Sequence, residues 1–319
     1  MTDILTITLN PCLDLCAEAS HVTPGPKLRL DQPKAEPGGG GINAARVAVE
    51  LGGQARAVTV LGGATGTRFL SLLEQTGVAV SVFSLEGETR QSLAVTDRST
   101  GEQYRFVMPG PQWSAGKVDE LSTRLADDVR RMGAGAVVVL SGSQPPGVPV
   151  SFPTDLAGLI PQARLIVDTS GPALTQLVQR PVSGGTPHVL RMDHAESEDL
   201  AGCPLHNTRD SLDYAQSLVA RDVARVVILA RGAQGSVLAT QDLRLHCTPP
   251  AVAVQSKIGA GDSFTGALAL CLARGQSLSD ALRQGTAAAA AAVTTPGSAL
   301  CRADHVAQLA RECHVATLD

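Results

Sequence analysis

Lys257-Ile258-Gly259-Ala260-Gly261-Asp262-Ser263-Phe264, followed by Thr265-Gly266-Ala267, puts one acid among small residues where a helix begins. A helix start offers unpaired N–H groups and the positive end of the helix dipole. Glycines let an anion come close to that backbone. An aspartate there can take a proton from a hydroxyl held beside the anion. The set suits phosphoryl transfer to an alcohol, which needs positioning, charge stabilisation and a base. Judged on these residues alone, the plainer reading is favoured: Asp262 as a helix N-cap, stabilising the helix by about 1 kcal/mol.

Gly38-Gly39-Gly40-Gly41-Ile42-Asn43-Ala44-Ala45-Arg46 is a second candidate. Gly39, Gly41 and Ala44 satisfy a G-x-G-x-x-A dinucleotide spacing, but Asp31 to Pro37 is not the buried parallel strand that fingerprint needs. The alternatives are a flexible turn or a substrate loop. In the latter, glycines admit a sugar to the backbone and Asn43 offers its amide to a hydroxyl. No G-x-x-x-x-G-K-[ST] segment exists, so ATP would have to be held without a P-loop. Ala230-Arg231-Gly232-Ala233-Gln234-Gly235 follows an apolar run and reads as a second phosphate loop or a plain β-turn.

The elements that must position these residues alternate. Strands are predicted at 4–9, 57–61, 78–85, 136–140, 165–168, 188–191 and 225–230, and antiparallel ones at 236–240 and 243–247. Helices are predicted at 42–51, 68–75, from 118 onward, and at 261–274, 278–293 and 303–312. Such alternation implies a mostly parallel sheet. Two polar stretches do not fit inside it: 12–34, where Lys27 to Asp31 alternates like a half-exposed strand, and 88–107, which reads as a hairpin. They predict a small separate sheet, a lid, on a single domain spanning 1–319.

Bulk properties agree. Of 319 residues, 44% are apolar, 18% charged and only 3% aromatic, which suits an aliphatic core between two helical layers. The net charge of −4, with no long basic run, argues against nucleic acid. No stretch of eighteen apolar residues and no charged-then-apolar leader are present, so a soluble, cytoplasmic protein off the membrane is expected. The seven scattered cysteines lack zinc-site spacing; the nearest pair, Cys12 and Cys16, reads as core or pocket-lining thiols.

Together these segments resemble the ribokinase/PfkB family of sugar kinases. The resemblance rests on Gly38 to Arg46 and Gly259 to Ser263. It extends through Leu9-Asn10-Pro11 to Asp14, Gly25 to Arg29, Gly62 to Gly66, Thr89 to Gln91, Gly101 to Gly110, Ser141 to Gly147 and Val167 to Gly171. Within the family, EPGGGGIN followed by GEQYRFVMPG is similar to the 6-phosphofructokinase branch. The resemblance implies a ribokinase-like three-layer α/β/α sandwich with a β lid. It implies ATP-dependent phosphorylation of D-fructose 6-phosphate, with Mg²⁺ as cofactor. Tagatose-6-phosphate kinase, 1-phosphofructokinase and a catalytically weak sugar-phosphate or ATP sensor are the alternatives.

By resemblance, Asp262 is the general base, and Gly259, Ala260 and Gly261 form the anion hole. Because a helix start favours the charged carboxylate, the base need not have a pKa near 7. Asp14, Gly39, Gly40 and Asn43 would hold sugar hydroxyls, and Ser141 would add a donor. Lys27, Arg90, Arg29 and Arg105 would hold the phosphate the sugar already carries; for each, a solvated strand charge is the alternative. Gly232 and Gly235 would lie near the nucleotide, and the helix from Leu278 beside its base. The family branch reads Lys-Pro-Asn-x-x-Glu where this chain has Arg191-Met192-Asp193-His194-Ala195-Glu196. Glu196, expected to organise the Mg²⁺ shell through water, is kept. Arg191 keeps lysine's charge but not its shape. Asp193 puts a carboxylate where a neutral amide would face nucleotide phosphates. A homodimer paired through the lids is implied, since a small lid has exposed edges.

Overall fold

Strand residues covered on both faces read as continuous apolar runs. Val137 to Ser141 (VVVLS) is buried at every position, and Val226 to Ala230 (VVILA) at all but the last. The computed structural model describes residues 4–318. In chain order the elements are β1 (Ile4–Thr8), β2 (Cys12–Ala19), β3 (Lys34–Gly38), α1 (Gly40–Glu50), β4 (Ala55–Leu61), α2 (Gly63–Glu74), β5 (Ala79–Ser84), β6 (Arg90–Asp97), β7 (Gln103–Val107), α3 (Ala115–Met132), β8 (Val137–Ser141) and α4 (Phe152–Leu159). There follow β9 (Arg164–Asp168), α5 (Gly171–Gln179), β10 (Val189–Met192), α6 (His194–Ala201), α7 (Thr208–Ala220), β11 (Val226–Ala230), β12 (Ser236–Ala239), β13 (Arg244–Thr248), α8 (Ala260–Ala273), α9 (Leu278–Ala292), α10 (Ala303–Glu312) and β14 (His314–Thr317).

The central sheet has the order β14-β13-β12-β11-β10-β9-β8-β1-β4-β5. From β11 to β5 every pairing is parallel; β12, β13 and β14 add on antiparallel. Side-chain alternation divides the core. Val137 and Val139 face the layer of α1, α2, α8, α9 and α10, whereas Val138 and Leu140 face the layer of α3 to α7. This is the three-layer α/β/α sandwich. From β1 the chain steps outward to β4 and β5; from β8 it steps the other way to β9, β10 and β11. The strand order therefore reverses between β1 and β8, and open α/β sheets hold ligands beyond the strand ends at such a point.

The smaller sheet has the order β3-β2-β6-β7, with β2 and β6 parallel and the outer pairs antiparallel. The 88–107 hairpin forms as expected. In the other lid segment the strands fall elsewhere. Cys12–Ala19 is an eight-residue strand, and the third strand is Lys34–Gly38, reaching past the expected end at 34. Lys27 to Asp31 is not a strand. It lies between Pro24, Pro26 and Pro33, which lack the N–H groups a ladder needs. Elsewhere α2 starts at Gly63, earlier than Arg68, because Glu88 accepts from the N–H groups of Ala64 and Thr65 at its first turn. β14 (His314–Thr317) is a strand beyond those the sequence pattern predicts. Among the described residues no helix is long and apolar enough to cross a membrane.

One helix contact matters for the site. A Cβ on Gly266 would lie 2.5 Å from the Ala44 carbonyl and 2.8 Å from the Val47 side chain. The missing side chain lets α8 cross α1 closely, which brings the starts of the two glycine-rich helices together.

Candidate active site

Gly259 takes a left-handed conformation (φ 75°) and occupies the N-cap position of α8. Asp262 is thereby the third residue of the helix, not its cap. Its Oδ2 accepts from Asn43 Nδ2 at 2.8 Å, across the α1–α8 crossing. The plainer capping reading of Asp262 is therefore wrong: its side chain faces the neighbouring helix start. Burial pushes its carboxyl up to about 6. The Asn43 bond pulls the other way, Asp168 and Asp14 add to the rise, and Arg191 opposes it. Desolvation outweighs any pull of the helix dipole toward the charged form.

The strand ends supply the rest. Asp168, which sequence pattern alone does not mark, ends β9. It accepts from Thr265 Oγ1 of α8 at 2.7 Å and pairs with Arg191 of β10, Nη1 to Oδ1, at 3.3 Å. Arg191 also lies over the Phe264 ring, 6.0 Å from its centroid. Burial works against its charge, but Asp168, Glu196 and Asp262 more than offset that and hold the guanidinium protonated. Gly261 is small for this reason: a Cβ there would meet Arg191 Nη1 at 2.7 Å.

Ser141 ends β8 and is buried. Gly40 packs against it so closely that a Cβ would collide with Ser141 Oγ. Gly39 (φ 125°) caps α1, and a Cβ on it would lie 2.7 Å from Thr8 at the end of β1. Asp14, in β2, is fixed by Ser92 Oγ of β6 at 2.6 Å, and leaves room only for glycine at 38. Arg90, paired in register with Cys12, donates from Nε to the Asn10 carbonyl at 3.1 Å. Contacts and charges thus bring Asp14, Gly39, Gly40, Asn43, Ser141, Arg191 and Gly259 to Asp262 together at the β1/β8 switch point, where sheets of this kind have their ligand crevice, with Arg90 on lid strand β6.

Asp193 is the N-cap of α6, and with Glu196 it forms a complete capping box. Burial, with repulsion from Asp193 and Asp168, pushes the Glu196 carboxyl up. A cation would relieve that crowding, so Glu196 and Asp168 suit the neighbourhood of a divalent ion; among the described residues no ready-made cluster of three ligands exists. Gly232 opens a short turn after β11, and Gly235 (φ 88°) sits so close to the Cys247 carbonyl that only glycine fits. Gly235 thus serves the β11–β12 turn, at the same sheet end as Asp193. Lys27 and Arg29 lie exposed on the loop between β2 and β3, and Arg105 is exposed on β7. Among the described residues nothing joins these three cations to the crevice.

The pfkB family carbohydrate kinase model matches residues 7–305. The chain is similar to the ATP-dependent 6-phosphofructokinase isozyme 2 of Escherichia coli, 39% identical over 306 residues, covering 95% of this chain and 96% of that one. It is 36% identical over 306 residues to isozyme 2 of Mycobacterium tuberculosis, covering 95% of this chain and 87% of the relative. The crystal structure of phosphofructokinase-2 from Escherichia coli in complex with fructose-6-phosphate superposes with a TM-score of 0.87 at 36% identity, covering 98% of this chain and 99% of that one. On this evidence, and with its crevice at the switch point of a ribokinase-like fold, the chain belongs to the pfkB family of carbohydrate kinases.

Proposed function

We propose that the chain transfers the γ-phosphoryl group of ATP to the 1-hydroxyl of D-fructose 6-phosphate, giving ADP and D-fructose 1,6-bisphosphate. The observation that carries this reading is the placement of Asp262. It is a carboxylate that burial pushes up to about 6, in the first turn of α8, released from capping and held toward the start of α1 by Asn43. In this reading Asp262 takes the hydroxyl proton as the new O–P bond forms, and ADP leaves. The N–H groups of Gly259, Ala260 and Gly261 stabilise the charge on the phosphoryl oxygens.

Asp14, Gly39, Gly40, Asn43 and Ser141 hold the sugar, and Arg90 turns toward its phosphate. Lys27, Arg29 and Arg105 reach that phosphate only when lid segments meet it, by closure or across a pair of lids. Arg191, Asp193, Gly232 and Gly235 line the nucleotide side. Mg²⁺ would come with ATP and would neutralise charge at the phosphates; Glu196 and Asp168 are the acids that would organise its water. Tyr104, Phe106, Val107 and Met108, on and beside the edge strand β7, are between 37% and 59% exposed. An apolar unpaired edge of this kind supports pairing of two lids in a homodimer.

The test is ADP release with Mg-ATP against fructose 6-phosphate, tagatose 6-phosphate, fructose 1-phosphate and free fructose. Fructose 6-phosphate should be used with the highest kcat/KM. Preference for another sugar phosphate would move the reading to tagatose-6-phosphate kinase or 1-phosphofructokinase, and binding without turnover would move it to a sensor.

A further inference from the structure

Asn43 is the only amide that touches Asp262 among the described residues, and its other end is also held. Arg46, one helical turn further along α1, donates from Nη1 to Asn43 Oδ1 at 3.2 Å and to the Pro37 carbonyl of β3 at 3.5 Å. We infer that Arg46 is a positioning residue for Asp262: its guanidinium holds the Asn43 amide in the orientation that donates to the carboxylate, and it is itself seated on lid strand β3.

The donor and acceptor chemistry makes this specific. A side-chain amide can turn over, exchanging its oxygen and its NH₂ group. A guanidinium only donates and an ionised carboxylate only accepts. With Arg46 on one side and Asp262 on the other, one orientation satisfies both. Without Arg46 the amide is free to present its oxygen to Asp262, an arrangement the ionised carboxylate cannot accept. Hydrogen bonds to the charged form lower a carboxyl's pKa, so the Arg46–Asn43 unit opposes the rise that burial causes. The other charged groups facing Asp262 are Asp14 from β2, Asp168 from β9 and Arg191 from β10.

The seat of Arg46 is part of the lid. Burial works against its charge, while Glu36 of β3 and Asp262 favour it. Glu36 is in turn held by Lys34 at 2.5 Å and by Ser298 in the loop after α9. A shift of β3 therefore moves the carbonyl and the carboxylate that fix Arg46, and with them the amide at the base. Lid position and protonation of Asp262 become linked through three side chains.

The inference deepens the base reading of Asp262, and its test does not depend on turnover. The titration midpoint of Asp262 is read by carboxyl ¹³C NMR, the resonance being assigned by its loss in Asp262→Asn. Arg46→Met should raise the midpoint by about half a unit or more, and Arg46→Lys, which keeps a donor, by less. In an Asn43→Ala background the Arg46→Met step should shrink to under half its size. An equal step in both backgrounds would show a bare through-space charge effect and overturn the inference. Arg46→Gln, which keeps polarity in that half-buried place, is read alongside; an unchanged midpoint in whichever variants fold also overturns it. Failure of the base reading would show separately, as activity surviving Asp262→Ala, and failure of the kinase reading as no turnover in the parent.

Discussion

Asp193 and Glu196 exchange hydrogen bonds at the start of α6: Asp193 Oδ1 accepts from the Glu196 N–H at 2.8 Å, and Glu196 Oε2 accepts from the Asp193 N–H at 2.9 Å. This accounts for the carboxylate where the resemblance implies an amide, since Asp and Asn cap helices equally well. Asp193→Asn should therefore leave the thermal midpoint essentially unchanged, whereas Asp193→Ala should cost about 1 kcal/mol. Since the proposed function puts Asp193 on the nucleotide side, Asp193→Asn, with one negative charge fewer there, should also lower KM for ATP. An unchanged KM would show that the carboxylate is occupied by the cap and does not face the nucleotide.

Arg191 and Asp168 are each only 12% exposed and are opposite charges 3.3 Å apart. Arg191→Met strands Asp168 with Thr265 as its remaining partner, and a loss on the order of 3 kcal/mol is expected in urea unfolding. Arg191→Lys keeps the charge and should lose less. A loss under about 1 kcal/mol in Arg191→Met would place the pair in effectively solvated surroundings.

Gly40 and Gly116 both lie in first helical turns, with opposite surroundings. A Cβ on Gly40 meets Ser141 and lies 3.0 Å from the Gly142 N; on Gly116 it meets nothing within 4 Å. Gly40→Ala should push α1 off β8, costing about 1–3 kcal/mol and raising KM for the sugar phosphate. Gly116→Ala should instead stabilise the fold by about 0.4–1 kcal/mol through the unfolded chain. Parallel thermal melts of the two variants check this.

Much of this was legible beforehand. The alternation of strands and helices, the lid hairpin and the glycine-rich helix starts all follow from local pattern, and each formed. Lys27 to Asp31 misled because alternation alone does not make a strand where flanking prolines remove ladder donors. Asp168 was passed over because a lone acid at a strand end has no local signature. Its importance comes from Arg191 and Thr265, brought to it from β10 and α8. The raised pKa of Asp262 was likewise hidden, because desolvation depends on how α1 and α8 cross, and the helix dipole was the only influence visible in the sequence.

The pH dependence of stability follows from that rise. Asp262 has a folded pKa near 6 against an ordinary value of 3.8. Between those values the folded state binds the extra proton, so stability falls as pH rises from about 4 to 6 and the full penalty remains above it. Asp262→Asn removes the penalty. Its thermal midpoint should exceed that of the parent at pH 7.5, and the gap should close between pH 6 and 4. A gap independent of pH would mean that the carboxyl titrates normally.

The most direct measurement is ADP release with Mg-ATP and fructose 6-phosphate, comparing the parent with a folded Asp262→Ala variant. Turnover in the parent should rise through pH 6, and the variant should lose about 10²-fold or more with ATP binding retained. Comparable turnover in Asp262→Ala would contradict the assignment of the base. No turnover in the parent on any sugar phosphate would contradict the kinase activity itself.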